Sequence, residues 1–419
     1  MIGKFSKHKI FLISIVILAS SLGFIWGFLS HREKIFPYRF ARHLATSIGI
    51  VPKEPFKRKM VQSRPTNTET LLESLGYVES TYDSEHINRG VVNINQEKVF
   101  ESYRFYNSRS AQQAFLIDIF GNIVHTWRFD TLENWQGSTL VPNGDVLVII
   151  KNHEILRIDK NSNLIWRKSF GVHHDLDVFQ DHIYVLTRRP GREMAPLYSA
   201  PFLEDMVSVL SSSGQFVREF SLFDLIWNSE YRFLLTSVHA MELSESQILD
   251  VLHCNHVEVI DGSDSHQNPI FSEGNILVCM RNINTVMIFD PKAESIVWLW
   301  GPNNLTFPHH PSVVDAGNIM VFDNGTEKSR VIEIDPISGE IEWLYEDAGF
   351  FSEWRGSAQR LPNGNTLITE SDTGYVFEVT ETGEEVWRYA NPDVKPNGKR
   401  GAIWRMTAFE RDDVSFLEK

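Results

Sequence analysis

The sequence contains little cysteine, and this excludes two classes of cross-linked fold. Two of the 419 residues are cysteine, too few for a disulfide-rich scaffold or for a zinc site built from cysteines. Basic charge is also scarce over most of the chain. The net charge is −14, and because residues 1–60 carry +9, the remainder carries −23. An acidic body is repelled by phosphate backbones, so nucleic-acid binding is not expected.

Long apolar runs are lacking except near the start of the chain. Residues 10–29 carry no charge, and a run of about twenty residues can cross the ~30 Å hydrocarbon core of a bilayer. The apolar part of a cleaved signal peptide is usually shorter, about 7–15 residues. The pattern predicts a transmembrane signal anchor at residues 1–30 and a basic juxtamembrane linker with a short lead-in at 31–89. The body is expected to be periplasmic or extracellular.

The rest of the chain repeats one phrase six times. In each copy, a strand is followed by a turn and then by a second strand that ends in an aromatic residue. These terminal aromatics are Trp127, Trp166, Phe220, Trp298, Trp343 and Trp387. The shorter spacings between them, 39, 45 and 44 residues, match one four-stranded propeller blade of about 40–50 residues. The sequence therefore predicts an all-β fold, a six-bladed β-propeller over residues 90–411, followed by a tail at 412–419.

Two longer spacings between the aromatics predict insertions. Residues 190–205 are typical of a loop, and residues 222–252 of a partly helical segment on the rim. Residues 401–411 are expected to pair with the N-terminal region and close the ring, which would leave few free strand edges. Since each blade buries apolar surface on its neighbours, the repeated aromatics are interpreted as packing between blades.

Histidines stand at the start of three units, where the innermost strand of a blade begins. His174, His253 and His310 occupy the slot that other units fill with a Gly-Ser phrase. Equivalent slots of a propeller point at one axis, so these side chains are expected to meet in the central channel. Arg281 follows His253 after a probable hairpin, and we expect it to reach the same channel.

A cluster of imidazoles with one guanidinium is compatible with three kinds of site. Histidine is the commonest ligand of transition metals, although no unit supplies an obvious carboxylate ligand and a nearby arginine disfavours a cation. Arginine and protonated histidine can instead bind sulfate or phosphate oxygens. One histidine can also act as a nucleophile while the others hold the transferred group. The residues alone leave these alternatives open, and the two cysteines do not establish a disulfide.

Several phrases resemble the bacterial arylsulfate sulfotransferase family over residues 90–411. They are Asp250-x-x-His253-x-Asn255, Arg281 on a following strand, His310, Val321-Phe-Asp-Asn-Gly325 and Ser329-Arg330-Val-Ile-Glu-Ile-Asp335. The resemblance implies a six-bladed propeller that moves a sulfuryl group from an aryl sulfate ester to a phenolic acceptor. It further implies a sulfohistidine intermediate and a reaction without a nucleotide donor, a metal or another cofactor.

The same resemblance implies roles for five residues. His310 would be the nucleophile. His174, His253 and Arg281 would bind the sulfuryl oxygens of the substrate, and Asn255 would support them.

The sequence also suggests a second candidate nucleophile and two alternative functions. His309 stands where the family commonly has glutamine, so it is a second candidate nucleophile. The expected partners are a small-molecule aryl sulfate, a phenol and the membrane, with no nucleic acid. The chief alternative function is a non-catalytic propeller that binds an anionic ligand or a protein partner. A weaker one is a quinone-cofactor dehydrogenase, whose repeats end in similar phrases.

Overall fold

The computed structural model describes residues 80–82, 88–191, 198, 202–236, 249–314, 317–394 and 398–418. The predicted anchor at residues 1–30 and most of the predicted linker lie outside these described residues. None of the helices in the described ranges is long and apolar enough to cross a membrane.

The described residues form strands throughout, with a few short helices. In chain order the strands are β1 Ser80–Tyr82, β2 Gly90–Ile94, β3 Tyr103–Ser108, β4 Gln113–Ile117, β5 Ile123–Arg128, β6 Gly137–Leu140, β7 Val146–Ile150, β8 Glu154–Ile158, β9 Leu164–Ser169, β10 Val172–Phe179, β11 His182–Pro190, β12 Phe202–Ser211, β13 Phe216–Ser221, β14 Leu249–Asp250, β15 Cys254–Val259, β16 Ile276–Met280, β17 Thr285–Asp290, β18 Ser295–Trp300, β19 His309–Val314, β20 Asn318–Asp323, β21 Arg330–Ile334, β22 Ile341–Glu346, β23 Ser357–Arg360, β24 Thr366–Glu370, β25 Tyr375–Val379, β26 Glu385–Ala390, β27 Lys399–Gly401 and β28 Ile403–Phe409. The α-helices are α1 Leu222–Trp227 and α2 Phe233–Thr236, and the 3-10 helices are Glu230–Arg232, Pro269–Phe271, Arg281–Ile283, Ser371–Thr373 and Asp412–Glu418.

Six antiparallel sheets form the blades of a propeller, as the repeat predicts. Blade 1 has the strand order β28-β3-β4-β5, and blade 2 has β6 to β9. Blade 3 runs from β10 to β13, with β14 parallel to β12. Blades 4 and 5 run from β15 to β18 and from β19 to β22, and blade 6 runs from β23 to β26 with β2 added outside. The first strands of neighbouring blades contact one another around the axis, so they line the channel.

The two ends of the described chain close the ring together. Strand β28 pairs with β3, which places Thr407 opposite Phe105, so the expected pairing of residues 401–411 with the N-terminal region is confirmed. The 3-10 helix Asp412–Glu418 follows directly, and its Val414 and Phe416 are buried among core residues of blades 1 and 2. Closure of this kind leaves only short, protected strand edges.

The repeated aromatics lie on the fourth strand of every blade and link it to the next one. In five blades this residue is tryptophan, and its indole N–H donates a hydrogen bond to a backbone carbonyl in a turn of the following blade. The pairs are Trp127 with Gly144 (2.9 Å), Trp166 with Ser212 (3.1 Å), Trp298 with Pro336 (3.0 Å), Trp343 with Glu381 (2.8 Å) and Trp387 with Ile119 (2.7 Å). The interpretation of the repeated aromatics as packing between blades is confirmed. The hydrogen bonds also fix the orientation of each indole ring, which a purely apolar side chain could not do.

The helical insertion is more deeply buried than the sequence predicts. Residues 222–252 were expected on the rim. Helix α1 begins after Ser221, whose hydroxyl caps the N–H of Asp224. Leu222, Phe223 and Ile226 are then buried in the core that also contains residues of blades 3 and 4. The apolar face of this short helix thus extends the core, because so short a helix has little stability without packing.

Candidate functional site

The first strands of blades 3, 4 and 5 are irregular where the histidines stand. The register shifts between Val172 and Leu176 in β10, between Cys254 and His256 in β15, and between His309 and Ser312 in β19. His174, His253 and His310 have φ angles of +53°, +51° and +42°. Bulges and left-handed residues re-aim side chains and are concentrated near functional sites. The three predicted histidines therefore share one backbone feature, a positive φ angle at or beside a register shift.

His253 is held by a carboxylate. Its Nδ1 lies 2.7 Å from Oδ2 of Asp250. Burial lowers the pKa of His253 although Asp250 opposes this effect. Burial raises the pKa of Asp250, but the charge of His253 and the hydrogen bond outweigh it and hold that pKa below its usual range. A neutral imidazole that donates Nδ1–H to an ionised carboxylate has its lone pair on Nε2.

His174 is held by its neighbour in sequence. Its Nδ1 lies 2.8 Å from Nδ1 of His173, which also contacts Nη2 of Arg188 at 3.1 Å. Arginine can only donate, so Nδ1 of His173 accepts, and His174 must donate from Nδ1. Burial lowers the pKa of His173 to about 4 and that of His174 well below its usual value. The ring of His174 lies 4.8 Å from that of His253.

His309 is held in the same way by an amide. Its Nδ1 lies 2.7 Å from Oδ1 of Asn324. The amide group of Asn324 donates to the carbonyls of Ser352 and Arg355 at 2.7 and 3.0 Å, which fixes its oxygen towards the imidazole. Burial, followed by the charge of Arg281, lowers the pKa of His309 well below its usual value. His309 is therefore a third neutral imidazole with its Nδ1–H engaged.

Arg281 lies beside two of these rings. It directly follows β16, and its Cζ atom is 4.3 Å from the ring centre of Phe307 and 5.2 Å from that of Trp354. The backbone N–H of Arg281 donates to the carbonyl of His253 at 3.2 Å, and the carbonyl oxygen of Phe307 lies 3.1 Å from Nδ1 of His309. The charge of Arg281 contributes to the lowered pKa of both histidines. A guanidinium between two aromatic faces is oriented by cation–π contacts.

These side chains form one group, which we name the transfer cluster: His174, His253, Arg281 and His309. Each imidazole is tethered through Nδ1, and among the described residues none of them has a hydrogen-bond partner at Nε2. Three oriented imidazoles with available lone pairs beside a fixed cation can bind an anion, exchange protons with it, or attack an electrophilic centre.

His310, the predicted nucleophile, belongs to an adjoining cluster. Its Nε2 lies 2.8 Å from Nη1 of Arg405, and its ring is 4.6 Å from the ring of His256. Asp175 accepts from Arg405 and lies 2.6 Å from Nδ1 of His256. Burial lowers the pKa of His310 well below its usual value, and the charges of His256 and Arg405 add to this effect. The structure thus brings His174, His253 and Arg281 together with His309, and places His310 beside Arg405.

Asn255 and Cys279 both contact the carbonyl of Pro308, and Cys254 directly precedes Asn255. Asn255 donates to the carbonyl of Pro308 at 2.9 Å, so it fixes the segment that precedes His309. Both His309 and His310 line one small cavity with Asn255. Cys254 and Cys279 are buried thiols, and burial raises the pKa of each well above its usual value. Their role is therefore packing beside the site.

Sequence reasoning missed the residues that orient the cluster. Asp250 and Asn324 tether His253 and His309, and both stand in phrases that carried the family resemblance, where they received no role. His173 directly precedes His174 in the sequence but was not recognised as its tether. Within the described ranges, no group of three or more His, Cys, Asp or Glu side chains could hold a metal ion.

Comparison with family models gives a match for part of the chain. Residues 198–392 match the model of the arylsulfotransferase (ASST) family. This match supports assignment of the region to the arylsulfotransferase family. The arylsulfotransferase match contains His253, Arg281, His309 and His310, whereas His174 precedes it.

Comparison with individual proteins adds little about chemistry. No curated protein matches the chain. A protein of unknown function from Bacteroides caccae is 12% identical, with a TM-score of 0.49, over 74% of this chain and 99% of that one. Virginiamycin B lyase from Staphylococcus aureus is 11% identical, with a TM-score of 0.43, over 78% and 94%. AztD from Citrobacter koseri is 11% identical, with a TM-score of 0.41, over 74% and 98%.

Proposed function

We propose that this protein transfers a sulfuryl group from an aryl sulfate ester to a phenolic acceptor through a sulfated histidine, without a nucleotide donor. One observation carries the proposal. The imidazoles of His174, His253 and His309 are tethered through Nδ1 and lie beside Arg281, in a propeller with an arylsulfotransferase-family region. This arrangement supplies a neutral nucleophile and a fixed cation for the charge of the sulfuryl oxygens.

The first half-reaction forms a nitrogen–sulfur bond. The Nε2 lone pair of the nucleophilic histidine attacks sulfur, and the bond from sulfur to the aryl oxygen breaks. Arg281 binds sulfuryl oxygens. The negative charge of the bound ester raises the pKa of the neighbouring imidazoles, so His174 or His253 takes up a proton at Nε2. That proton neutralises the departing phenolate.

The second half-reaction reverses these steps with another phenol. The hydroxyl oxygen of the acceptor attacks sulfur while its proton passes to Nε2 of the neighbouring imidazole. The nitrogen–sulfur bond breaks, which regenerates the neutral nucleophile. Over the full cycle the sulfur–oxygen bond of the donor is replaced by that of the product, and the proton that the acceptor gives up replaces the one that the departing phenol took, so the enzyme's groups return to their starting state.

Hydrogen bonding distinguishes the two candidate nucleophiles. The family resemblance favours His310, but Arg405 donates to Nε2 of His310, and this bond occupies the lone pair that would attack. Nε2 of His309 has no such donor among the described residues, and Asn324 holds its Nδ1–H. We therefore assign the attack to His309, and the experiment below tests His310 as the alternative.

We also propose that the protein is anchored by residues 1–30 and that residues 31–89 act as a linker to a periplasmic or extracellular body. The support is the charge-free run at residues 10–29, which is long enough to span a bilayer. Membrane fractionation of the full chain, with protease added to intact cells, tests this topology. Recovery of the intact chain in the aqueous fraction contradicts it.

The activity experiment uses the full chain in detergent with 4-nitrophenyl sulfate as donor and phenol as acceptor. We expect release of nitrophenol together with phenyl sulfate. Donor alone, followed by peptide mapping under alkaline conditions, should locate an acid-labile sulfuryl group on His309.

The same mapping separates the competing outcomes. Modification of His310 transfers the role of nucleophile to that residue. Reversible binding of the donor without release or modification favours the non-catalytic propeller. The matched control is His153→Ala, which removes an exposed histidine of blade 2 and should leave the rate unchanged.

A further inference from the structure

A large cavity lies at the end of the channel opposite Arg281, and we name it the lower cavity. Its volume is about 580 Å³, and it is lined by residues at or near the ends of first strands, among them Glu258 of β15, Val314 of β19 and Arg360 of β23. Arg281 directly follows β16, whose end pairs with the start of β15, so it lies at the other end of the channel. A volume of several hundred Å³ is typical of a site for a small organic molecule.

The lower cavity borders the candidate site without including the transfer cluster. Its inner end is formed by His310, Ser357 and Arg405, which also line the small cavity that contains His309. Arg405 is held in place there, because it donates to Asp175 and to Nε2 of His310. A molecule in the lower cavity would therefore lie beside the site and leave the transfer cluster free.

Much of the wall of the lower cavity is apolar. Ala358, Leu361 and Met406 line it and are each at most 2% exposed, and Val313 and Phe100 line it with them. Contact with such side chains removes apolar surface from water. The wall therefore favours a ligand with a hydrocarbon ring or chain over an inorganic ion.

Three carboxylates line the lower cavity as well, namely Glu258, Glu410 and Asp413. Glu258 accepts the N–H of Val313 at 3.3 Å and lies 3.8 Å from Nε2 of His256, and Asp413 accepts the N–H of Glu410 at 2.9 Å. Within the described ranges, no lysine or arginine forms an ion pair with any of the three. Their negative charge is therefore available to a ligand.

The positive groups in and beside the lower cavity have other carboxylate partners. Arg405 donates to Asp175, and Nδ1 of His256 lies 2.6 Å from the same carboxylate. Arg360 donates to Glu333 at 2.6 Å. Neither Asp175 nor Glu333 lines the cavity, so these cations are balanced from outside it. The cavity thus combines an apolar wall with an excess of negative charge, which attracts cations.

We propose that the lower cavity binds an organic cation, an arylalkylammonium ion whose ring contacts the apolar wall and whose ammonium group lies among Glu258, Glu410 and Asp413. This inference goes beyond the proposed function, because it assigns a ligand to a part of the channel that the transfer reaction does not use. An ion of this class gains from both kinds of contact, whereas an inorganic cation gains only from the carboxylates and a neutral ring only from the wall.

The test measures binding without any turnover. The probes are 2-phenylethylamine, which is protonated at pH 7, its neutral counterpart 2-phenylethanol, and the anion 3-phenylpropanoate. Ligand-observed NMR titration of the full chain in a non-ionic detergent, with the detergent alone as blank, gives the three affinities. We expect the amine to bind about tenfold more tightly than the alcohol, since each solvent-exposed ion pair adds up to about fivefold. The anion should bind most weakly.

Matched variants locate the ligand. Glu410→Gln and Asp413→Asn together should reduce the preference for the amine to about twofold or less and leave the affinity for the alcohol unchanged. The control is Asp412→Asn, which removes an exposed carboxylate of the same segment that does not line the cavity, and it should retain the preference. Thr407→Trp places a large side chain in the cavity wall and should weaken the binding of both the amine and the alcohol.

Each outcome decides the inference. Equal affinities for the amine and the alcohol, or a preference that survives Glu410→Gln and Asp413→Asn together, overturns the cation site. Undiminished binding in a folded Thr407→Trp variant places the ligand elsewhere and also overturns it. A preference that is lost in the double variant and kept in Asp412→Asn supports the site, whether or not 4-nitrophenyl sulfate is turned over. Failure of the transferase proposal is therefore distinguishable from failure of this one.

Discussion

Blades 2 and 6 differ from blades 3, 4 and 5 at the strand that lines the channel. Strands β6 and β23 pair with their neighbours without any shift in register. Strands β10, β15 and β19 each shift, and each of these blades places a histidine with a positive φ at or beside the shift. The outer strands are alike in both groups, because the fourth strand carries an aromatic residue in every blade. Packing between blades is thus kept uniform, whereas the inner strands of blades 3, 4 and 5, like β28 in blade 1, depart from regular pairing.

The difference indicates where stability is given up for chemistry. A non-glycine residue in a sparsely populated backbone region costs about 1–3 kcal/mol. The inner strands β6 and β23 avoid this cost, while blades 3 to 5 accept it at or beside the inner strand together with buried, neutral imidazoles. We therefore expect substitutions at the site in blades 3 to 5 to reduce activity, and substitutions in blades 2 and 6 to leave it close to wild type.

The largest effect is expected from His309→Ala. Loss of a nucleophile that forms a covalent intermediate should lower kcat by about 10³-fold or more. The measurement is steady-state release of nitrophenol, with thermal unfolding to confirm that the variant is folded. His153→Ala in blade 2 is the control. A His309→Ala variant that retains most of its activity would exclude His309 as the nucleophile and favour His310.

Arg281→Gln should have the next largest effect. A preorganised donor for transition-state charge is worth about 10²–10³-fold in kcat. Arg157→Gln in blade 2 is the matched control, because Arg157 pairs with Asp145 outside the transfer cluster, and its rate should be close to wild type. Equal losses in the two variants would show that removal of any buried arginine disturbs the propeller.

Asp250→Asn tests the tether of one imidazole. An amide can present its N–H₂ to Nδ1 of His253 and so reverse the tautomer, and loss of such an orienting partner costs about 10–100-fold. The reduction should appear in kcat/KM for 4-nitrophenyl sulfate, with a melting temperature close to wild type. An unchanged rate would mean that the tautomer of His253 has no part in transfer.

The pH dependence of the rate follows from the lowered pKa of His309. The neutral imidazole attacks, so activity is present above the folded pKa and is lost as the pH falls through it. 4-Nitrophenyl sulfate has a stable phenolate that leaves without a proton, so with this donor only the state of His309 matters. Because burial and Arg281 hold the pKa of His309 well below the ordinary 6.5, the single-turnover rate should stay constant between pH 7.5 and 6.5 and fall by about tenfold per pH unit only further down. A fall centred near pH 6.5 would indicate a solvent-exposed nucleophile.

The smallest effect concerns backbone strain. His253 has a φ of +51°, so His253→Gly should be more stable than His253→Ala by about 1 kcal/mol. The same comparison at Ser357 in the regular strand β23 should reverse, with glycine less stable than alanine by roughly 0.5–1 kcal/mol. Urea unfolding of the four variants measures both differences. The same order at both positions would remove the distinction between bulged and regular blades.

Much of the fold could be predicted because the repeat is local. Trp127, Trp166, Trp298, Trp343 and Trp387 recur at intervals of a blade, and a strand that must bury one face on its neighbour leaves such a period. Helix α1 was wrongly expected on the rim because its position is not determined by local sequence. Its burial against blades 3 and 4 depends on surfaces that are far from it in sequence.

The site was predicted in part for the same reason. His174 and His253 stand at equivalent places of the repeat, Arg281 follows the next strand after His253, and the closed ring brings them together. Neither the partner of His309 nor that of His310 could be predicted. Asn324 and Arg405 come from other strands, and which imidazole each one contacts depends on the bulge in β19.

The sequence by itself determined the number of blades, the residues that join them, and the histidines His174, His253 and His310 at the start of three units, because all three follow from the repeat period of the chain. Only the tertiary structure decided which nitrogen of each imidazole is occupied and which cations are neighbours. Those choices depend on shifts of one or two residues in strand register, and a single such shift turns a side chain from one partner to another.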